Sequence, residues 1–201
     1  MLGNATVMPA QEHADSIAGC RSRSRHPVAR RTLLGAAIGS VLLSVMPGAA
    51  AEPWGDRKLA LYNPHTDERF DDVYWSDGQF VQGSLQRINW LMRDFHRDQM
   101  APIDPNLLDL LHRISGALET PGPIQILSGY RTAATNRLLR REGLGAAANS
   151  EHLLAKAADI RIGGVRLKHL RRAAIWLRAG GVGTYWQDGF VHVDVGAVRV
   201  W

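Results

Sequence analysis

Apolar side chains recur at helical spacing twice early in residues 52–201 and then give way to short alternating runs between glycines. Leu85, Ile88, Leu91, Met92 and Phe95 share one face of a helix predicted over Gln79–Arg97. Leu107, Leu108, Leu111, Ile114 and Leu118 line a second helix, which starts at Pro105, a favoured first-turn residue behind Asp104. Before them, Lys58–Tyr62 and Val73–Trp75 alternate as strands on either side of the turn residues Asn63–Glu68, a β-hairpin. After them come a buried strand Ile124–Leu127, a helix capped by Thr132 and running to Arg141, an irregular loop Glu142–Asn149, a strand Ala157–Ile162 and a helix Val165–Ala179 stopped by Gly180-Gly181. Val182–Tyr185, Phe190–Val195 and Ala197–Trp201 read as an antiparallel meander turning at Asp188-Gly189 and Gly196. Helices first and then a small sheet with covering helices is an α+β order, so the expected class is α+β: a small antiparallel sheet with covering helices, preceded by a hairpin and two helices.

Residues 1–51 read differently. Five arginines, including the pair Arg30-Arg31, precede the apolar run Leu33–Met46, which ends in Pro47-Gly48-Ala49-Ala50-Ala51. Paired arginines before a glycine- and serine-diluted apolar run, with small residues at 49 and 51, predict a twin-arginine signal peptide cut before Glu52. The run is shorter than the ~20 apolar residues of a membrane span, which favours cleavage over anchorage. The expected organisation is thus a signal peptide, 1–51, and a single domain, 52–201. Its destination would be the periplasm, and the membrane would be met only through the signal during export. Loss of the leader lowers the formal charge from +5 to +2, which removes the case for nucleic-acid binding. It also removes Cys20, the only cysteine, so the domain must hold together by packing, without disulfides or thiolate ligands.

Chemistry concentrates in Ser150–Asp159. His152 in a loop and Asp159 on the following strand can face one ion, and His192, within Phe190-Val191-His192-Val193-Asp194, supplies a third ligand. Three His or carboxylate ligands with one open position are the usual protein share of a catalytic zinc site. On spacing alone, a structural histidine and a turn-capping aspartate remain open as alternatives. His96 and His112 read as surface or boundary histidines on or near helices, and His169, on the late helix, is either an exposed helix residue or a weaker candidate for a catalytic base.

Taken together, Ser128-Gly129-Tyr130-Arg131, Ser150-x-His152 with Asp159 seven residues on, and His192 in its Gly-Val-Gly-x-Tyr…Phe-Val-His-Val-Asp setting resemble the zinc D-Ala-D-Ala carboxypeptidase-like peptidases. That superfamily includes the lysostaphin-type enzymes and the hedgehog domain. The hairpin, the two helices and the terminal Val-Arg-Val-Trp are similar to a twin-arginine-exported bacterial branch of it. The resemblance implies a hedgehog/D-Ala-D-Ala-peptidase-like fold with zinc held by His152, Asp159 and His192. It implies that Arg131 binds a substrate carboxylate, and Ser150 is a second candidate for substrate contact. It implies hydrolysis of an amide bond in peptidoglycan stem peptides or cross-links by a zinc-activated water; a non-catalytic cell-wall binding or scaffolding protein is the alternative.

Two positions depart from the family pattern. Ala155 stands where relatives have glycine, and Gly189 stands where many carry the catalytic acid, three residues before the last histidine. Asp194, on the same strand face as His192, and Asp188, in the preceding turn, are the candidates for that acid; Asp194 can equally orient a ligand. Asn136 can reach the cleft from its helix, and Tyr185 and Trp186 can line a groove or sit in the core.

Overall fold

The computed structural model describes residues 55–119 and 122–201, so the expected signal peptide lies outside the described residues. Residues Pro47–Trp201 cluster as one compact unit, and the core described below closes among its own residues. In chain order the elements are β1 (Arg57–Asn63), β2 (Glu68–Ser76), β3 (Gln79–Phe80), α1 (Gln82–Leu91), α2 (Pro105–Leu118), β4 (Ile124–Ser128) and α3 (Ala133–Arg141). They continue with a 3-10 turn at Glu151–Leu154, then β5 (Ala157–Ile162), α4 (Leu167–Leu177), β6 (Gly181–Tyr185), β7 (Phe190–Asp194) and β8 (Arg199–Val200). The α+β class is as expected.

The sheet is larger and more mixed than the antiparallel one expected. Its eight strands lie in the order β3-β2-β1-β4-β5-β7-β6-β8, with β1 parallel to β4 and β6 parallel to β8. The hairpin is therefore part of the sheet, joined to it when Leu61 and Tyr62 pair with Ile124 and Gln125. Nor do the last strands form a meander. Asp194 Oδ1 accepts from the amides of Gly181 and Gly196, both at 2.8 Å, which carries the chain past β6 to its far edge.

The first predicted helix is shorter at both ends. Gln79 and Phe80 pair with Ser76 and Trp75, and the helix stops at Leu91. Beyond it Asp94 turns its carboxylate to the His96 amide and to Thr132, which makes a turn of what periodicity reads as helix. The second helix starts as expected, with Asp104 accepting from the Asn106 amide at 2.9 Å and Pro105 in the first turn. Asp109 on α2 receives Arg57 and Tyr74, each at 2.8 Å, and so ties the hairpin to that helix.

Strand alternation decides which residues meet in the site. The register places Asp159 beside His192 and His192 beside Gly183, with Ala157 and Asp194 next along the same face. On the other face Ala158, Ile160, Ile162, Val191, Val193 and Val182 are buried in one cluster with Leu170, Ala174 and Leu177 of α4. At about 25 cal/mol per Å2, burying residues of this kind is the main stabilising term. The front of β5, β7 and β6 is thus free to hold polar groups, because the back carries the core.

Candidate metal centre

His152 reaches the front face from the 3-10 turn between the irregular loop and β5. Ala155, just past it, has φ 55°, a left-handed conformation that glycine adopts without strain. Strain of ~1 kcal/mol for a residue with Cβ is offset by burial of its methyl group, worth ~0.8 kcal/mol. Gly129 is needed for packing: a Cβ there would collide with the backbone oxygen of Met92, against which the Ser128–Arg131 segment runs. The close approach leaves the Gly129 carbonyl aimed at His152 Nδ1, 2.7 Å away.

Three ligand atoms converge. His152 Nε2 lies 3.3 Å from Asp159 Oδ1 and 3.2 Å from His192 Nδ1, and His192 Nδ1 lies 2.9 Å from Asp159 Oδ1. All three residues are buried or nearly so. Donors about 2.0–2.1 Å from a tetrahedral zinc ion stand ~3.3 Å apart, which is the spacing seen. The outer ring nitrogens are already engaged. His152 Nδ1 donates to Gly129 O, and His192 Nε2 donates to Asp194 Oδ2 at 3.1 Å. With those protons placed outward, neutral rings present two lone pairs and a carboxylate oxygen to one point, an arrangement that a cation stabilises.

Electrostatics follow from this crowding. Burial opposes ionisation of Asp159, but the charge and hydrogen bonds of His152 and His192 outweigh it and hold the carboxyl well below the usual range. In the absence of a cation, burial pulls His192 down while Asp159 and Asp194 carry it up to about 9. A cation bound at this point would therefore compete with a proton for His192 Nδ1.

The other predicted residues take distinct places. Arg131 is largely buried; its Nη2 donates to Ser128 Oγ at 2.9 Å and to Asp159 Oδ2 at 3.3 Å, while the side chain also lines the cleft. Asn136 accepts from Arg131 at 3.5 Å and donates to Ala147 O at 2.9 Å, fastening the 142–149 loop as the cleft wall. Ser150 lines the cleft beside His152. Asp194 is fully buried behind His192, with Oδ2 shared by His192 and Arg199 (2.8 Å) and Oδ1 by Gly181 and Gly196. Asp188 is exposed in the β6–β7 turn and does not line the cleft. The structure thus brings neither candidate acid into the cleft, where the carboxylates among the lining residues are Asp159 and Glu151. Tyr185 lines it, whereas Trp186 is 61% exposed outside it, and His169 lies far off on α4.

Sequence reasoning missed two contributors. Trp201 hydrogen-bonds through its backbone to Val182 and Thr184, and its ring packs on Gly183 and on His192, centroid to centroid 5.3 Å. Arg199 completes the Asp194 carboxylate. Both lie past Gly196, on a strand whose position beside β6 no local pattern announces. The terminal Val-Arg-Val-Trp was the available signal. The cleft bounded by these walls measures about 530 Å3.

A family model described as Peptidoglycan L,D-endopeptidase MepK matches residues 50–201. The chain is 38% identical over 175 residues to the peptidoglycan L,D-endopeptidase MepK of Escherichia coli K12, covering 86% of this chain and 96% of that protein. It is 37% identical over 171 residues to the "Probable peptidoglycan L,D-endopeptidase MepK" of Haemophilus influenzae, covering 85% and 92% respectively. Among solved structures, the L-Ala D-Glu endopeptidase ChiX of Serratia marcescens aligns over 38% of this chain and 62% of that one, at 18% identity and a TM-score of 0.31, too slight a likeness to carry an argument.

Proposed function

Since the chain belongs to the MepK family of peptidoglycan L,D-endopeptidases, we propose that it is an exported zinc peptidase that hydrolyses an L,D peptide bond in the stems or cross-links of peptidoglycan. The observation that carries the zinc reading is the convergence of His152 Nε2, His192 Nδ1 and Asp159 Oδ1 within 2.9–3.3 Å, with the outer nitrogens of both rings already donating elsewhere. Two imidazoles and one carboxylate suit zinc better than magnesium or calcium, which prefer oxygen ligands throughout. Zinc bound there would supply a Lewis acid for amide hydrolysis and lower the pKa of a water to ~7.

The remaining residues orient and bind. Asp194 holds the His192 ring in the tautomer that leaves Nδ1 free, so of the two roles open to it we assign the orienting one. Arg131 steadies Asp159 through its second oxygen and offers its cleft-facing side to a substrate carboxylate. Ser150, Tyr185 and Trp201 border the bound peptide. The signal peptide over 1–51 and the periplasmic destination belong to the same reading, supported by the leader's arginine pair and apolar run.

The test is mass spectrometry of muropeptides after purified sacculi are incubated with the zinc-loaded protein. New products with free termini at an L,D bond are expected from the unmodified chain, and none from His152→Ala. Unchanged sacculi across a range of pH and zinc concentration would reject the proposal.

A further inference from the structure

Helix α4 and its flanks carry an unbalanced charge. Between Asp159 and Asp188 the chain has six cations, Arg161, Arg166, Lys168, Arg171, Arg172 and Arg178, and no acid. Residues 52–201 hold 19 Lys and Arg against 17 Asp and Glu; without these six the balance is 13 against 17, a net negative remainder. Arg161 is bonded to the carbonyls of Asp188 and Gly189. Among the described residues, none of the other five forms an ion pair with a carboxylate, and Arg166, Lys168, Arg172 and Arg178 are exposed. Slight desolvation and the nearby charges of Arg166, Lys168 and Arg172 hold His169 below its ordinary pKa.

An aromatic side chain stands among these cations. Trp176 is 75% exposed and borders a shallow groove with Leu118 of α2 and Arg172. The apolar stripe of α4, Leu170, Ala174 and Leu177, is spent on the core behind β5, β6 and β7, so the outward face is left for another partner. The metal centre lies on the opposite face of the same strands, because Asp159 and His192 alternate with the Ala158, Val191 and Val193 that α4 covers.

We propose that the outward face of α4 docks on an anionic phospholipid surface, with Lys168 and Arg172 of the helix and Arg178 just past its end meeting the headgroup phosphates and Trp176 lying at headgroup depth. Charge complementarity names the occupant as anionic, and an indole among cations suits the boundary between headgroups and acyl chains. The choice of lipid over cell-wall polymer rests on the proposed function. Docking on the wall through α4 would turn the cleft away from the polymer to be cut, whereas docking on a membrane turns the cleft toward it. The mature domain would then meet the membrane beyond the moment of export.

The test is co-sedimentation of residues 47–201 with phosphatidylcholine vesicles, with and without phosphatidylglycerol. Binding is expected only to the anionic vesicles and is expected to fall as salt shortens the range of the charges. Replacing Lys168, Arg172 and Arg178 with Gln together should weaken it on the order of a hundredfold, at about fivefold per cation. Trp176→Ser alone should weaken it severalfold, while Arg140→Gln with Arg141→Gln on α3 should change it little. The α4 variants should keep the circular dichroism and the soluble-muropeptide hydrolysis of the unmodified domain. Equal binding to neutral vesicles, or undiminished binding by the triple variant, overturns the proposal. So does a triple variant that loses affinity for sacculi and not for vesicles, which would make the wall the partner. A domain that binds anionic vesicles but cleaves nothing would reject the peptidase reading and leave the docking surface standing; one that cleaves but binds no vesicle does the reverse.

Discussion

Asp194 Oδ2 accepts from His192 Nε2 at 3.1 Å, on the edge of the ring opposite the one that faces Asp159. The same carboxylate gathers two backbone amides and Arg199, so it sets both the ring of a proposed zinc ligand and the path of the last strand. Asp194→Ala should therefore lower zinc affinity about 10–100-fold and cost more than about 2 kcal/mol of stability by leaving buried donors unpaired. Competition against a chelator and denaturant unfolding measure the two effects. Unchanged zinc affinity would rule out the orienting role.

The zinc-loaded and metal-free forms should respond to pH in opposite directions. Without metal, His192 has its pKa raised to about 9, above the unfolded value of about 6.5. Its stabilising contribution is then fully present below about pH 6.5 and is lost as pH rises through about 9. Zinc binding displaces that proton, so affinity should rise with pH over the same window and about one proton should be released per ion near pH 7. Thermal unfolding of both forms across this window, with calorimetric zinc titrations in buffers of different ionisation heat, would show it. Proton-independent zinc binding would contradict the assignment.

Asp94 holds the start of α3 by accepting from the Thr132 amide at 2.9 Å and its hydroxyl at 2.7 Å. Burial raises its pKa, but the hydrogen bonds from Thr135, Thr132 and His96 outweigh that and leave it lowered. A depressed carboxyl contributes stability above its unfolded pKa of about 3.9 and loses it as pH falls through the folded value. Asp94→Ala should destabilise by about 1–3 kcal/mol at neutral pH, and the gap from the unmodified chain should narrow in acid. Urea titrations at neutral and acidic pH decide it.

A methyl group at position 183 would lie 2.5 Å from Trp201 Cε2. Gly183→Ala should cost about 1–3 kcal/mol through overpacking and displace the ring from His192. Because the three atoms nearest that methyl all belong to the Trp201 ring, adding Trp201→Ala should recover part of the loss. A double-mutant cycle with additive effects would show that Trp201 does not constrain this position.

Arg131 spans Ser128 and Asp159 with one nitrogen, and a lysine keeps the charge without the planar fork. Arg131→Lys is expected to retain zinc and to lower kcat/KM at least tenfold, mainly through KM if the cleft-facing side binds substrate. Loss of zinc with unaltered KM would instead confine Arg131 to steadying Asp159.

Local chemistry made much of this protein legible. The Asp104-Pro105 start, the Thr132 cap and the hairpin turn at Asn63–Glu68 each act within a few residues, and each recurs in the structure, whereas α4 ends at Leu177 with Arg178, not the expected Gly180-Gly181, in the left-handed cap. The spacing of His152 and Asp159 was readable for the same reason, since a turn followed by a strand carries both side chains to one place. The end of α1 was not: Met92–Arg97 keeps helical periodicity, but Asp94 is claimed by Thr132, 38 residues away in sequence.

By itself the sequence determined most of the elements, the class, the family and the three residues offered as ligands, because periodicity, caps and motif spacing are local properties of the chain. Only the tertiary structure decided how the strands order and which groups stand behind the ligands. Asp194 lies two residues from His192 and on the same strand face, which left it equally eligible as a base or as a support. The supporting role we propose for it rests on β8 crossing to the far side of β6, which brings Arg199 and the Gly196 amide to its oxygens and Trp201 over His192. Strand order depends on pairing between segments distant in sequence, and a carboxylate's role depends on which of its lone pairs those pairings leave free.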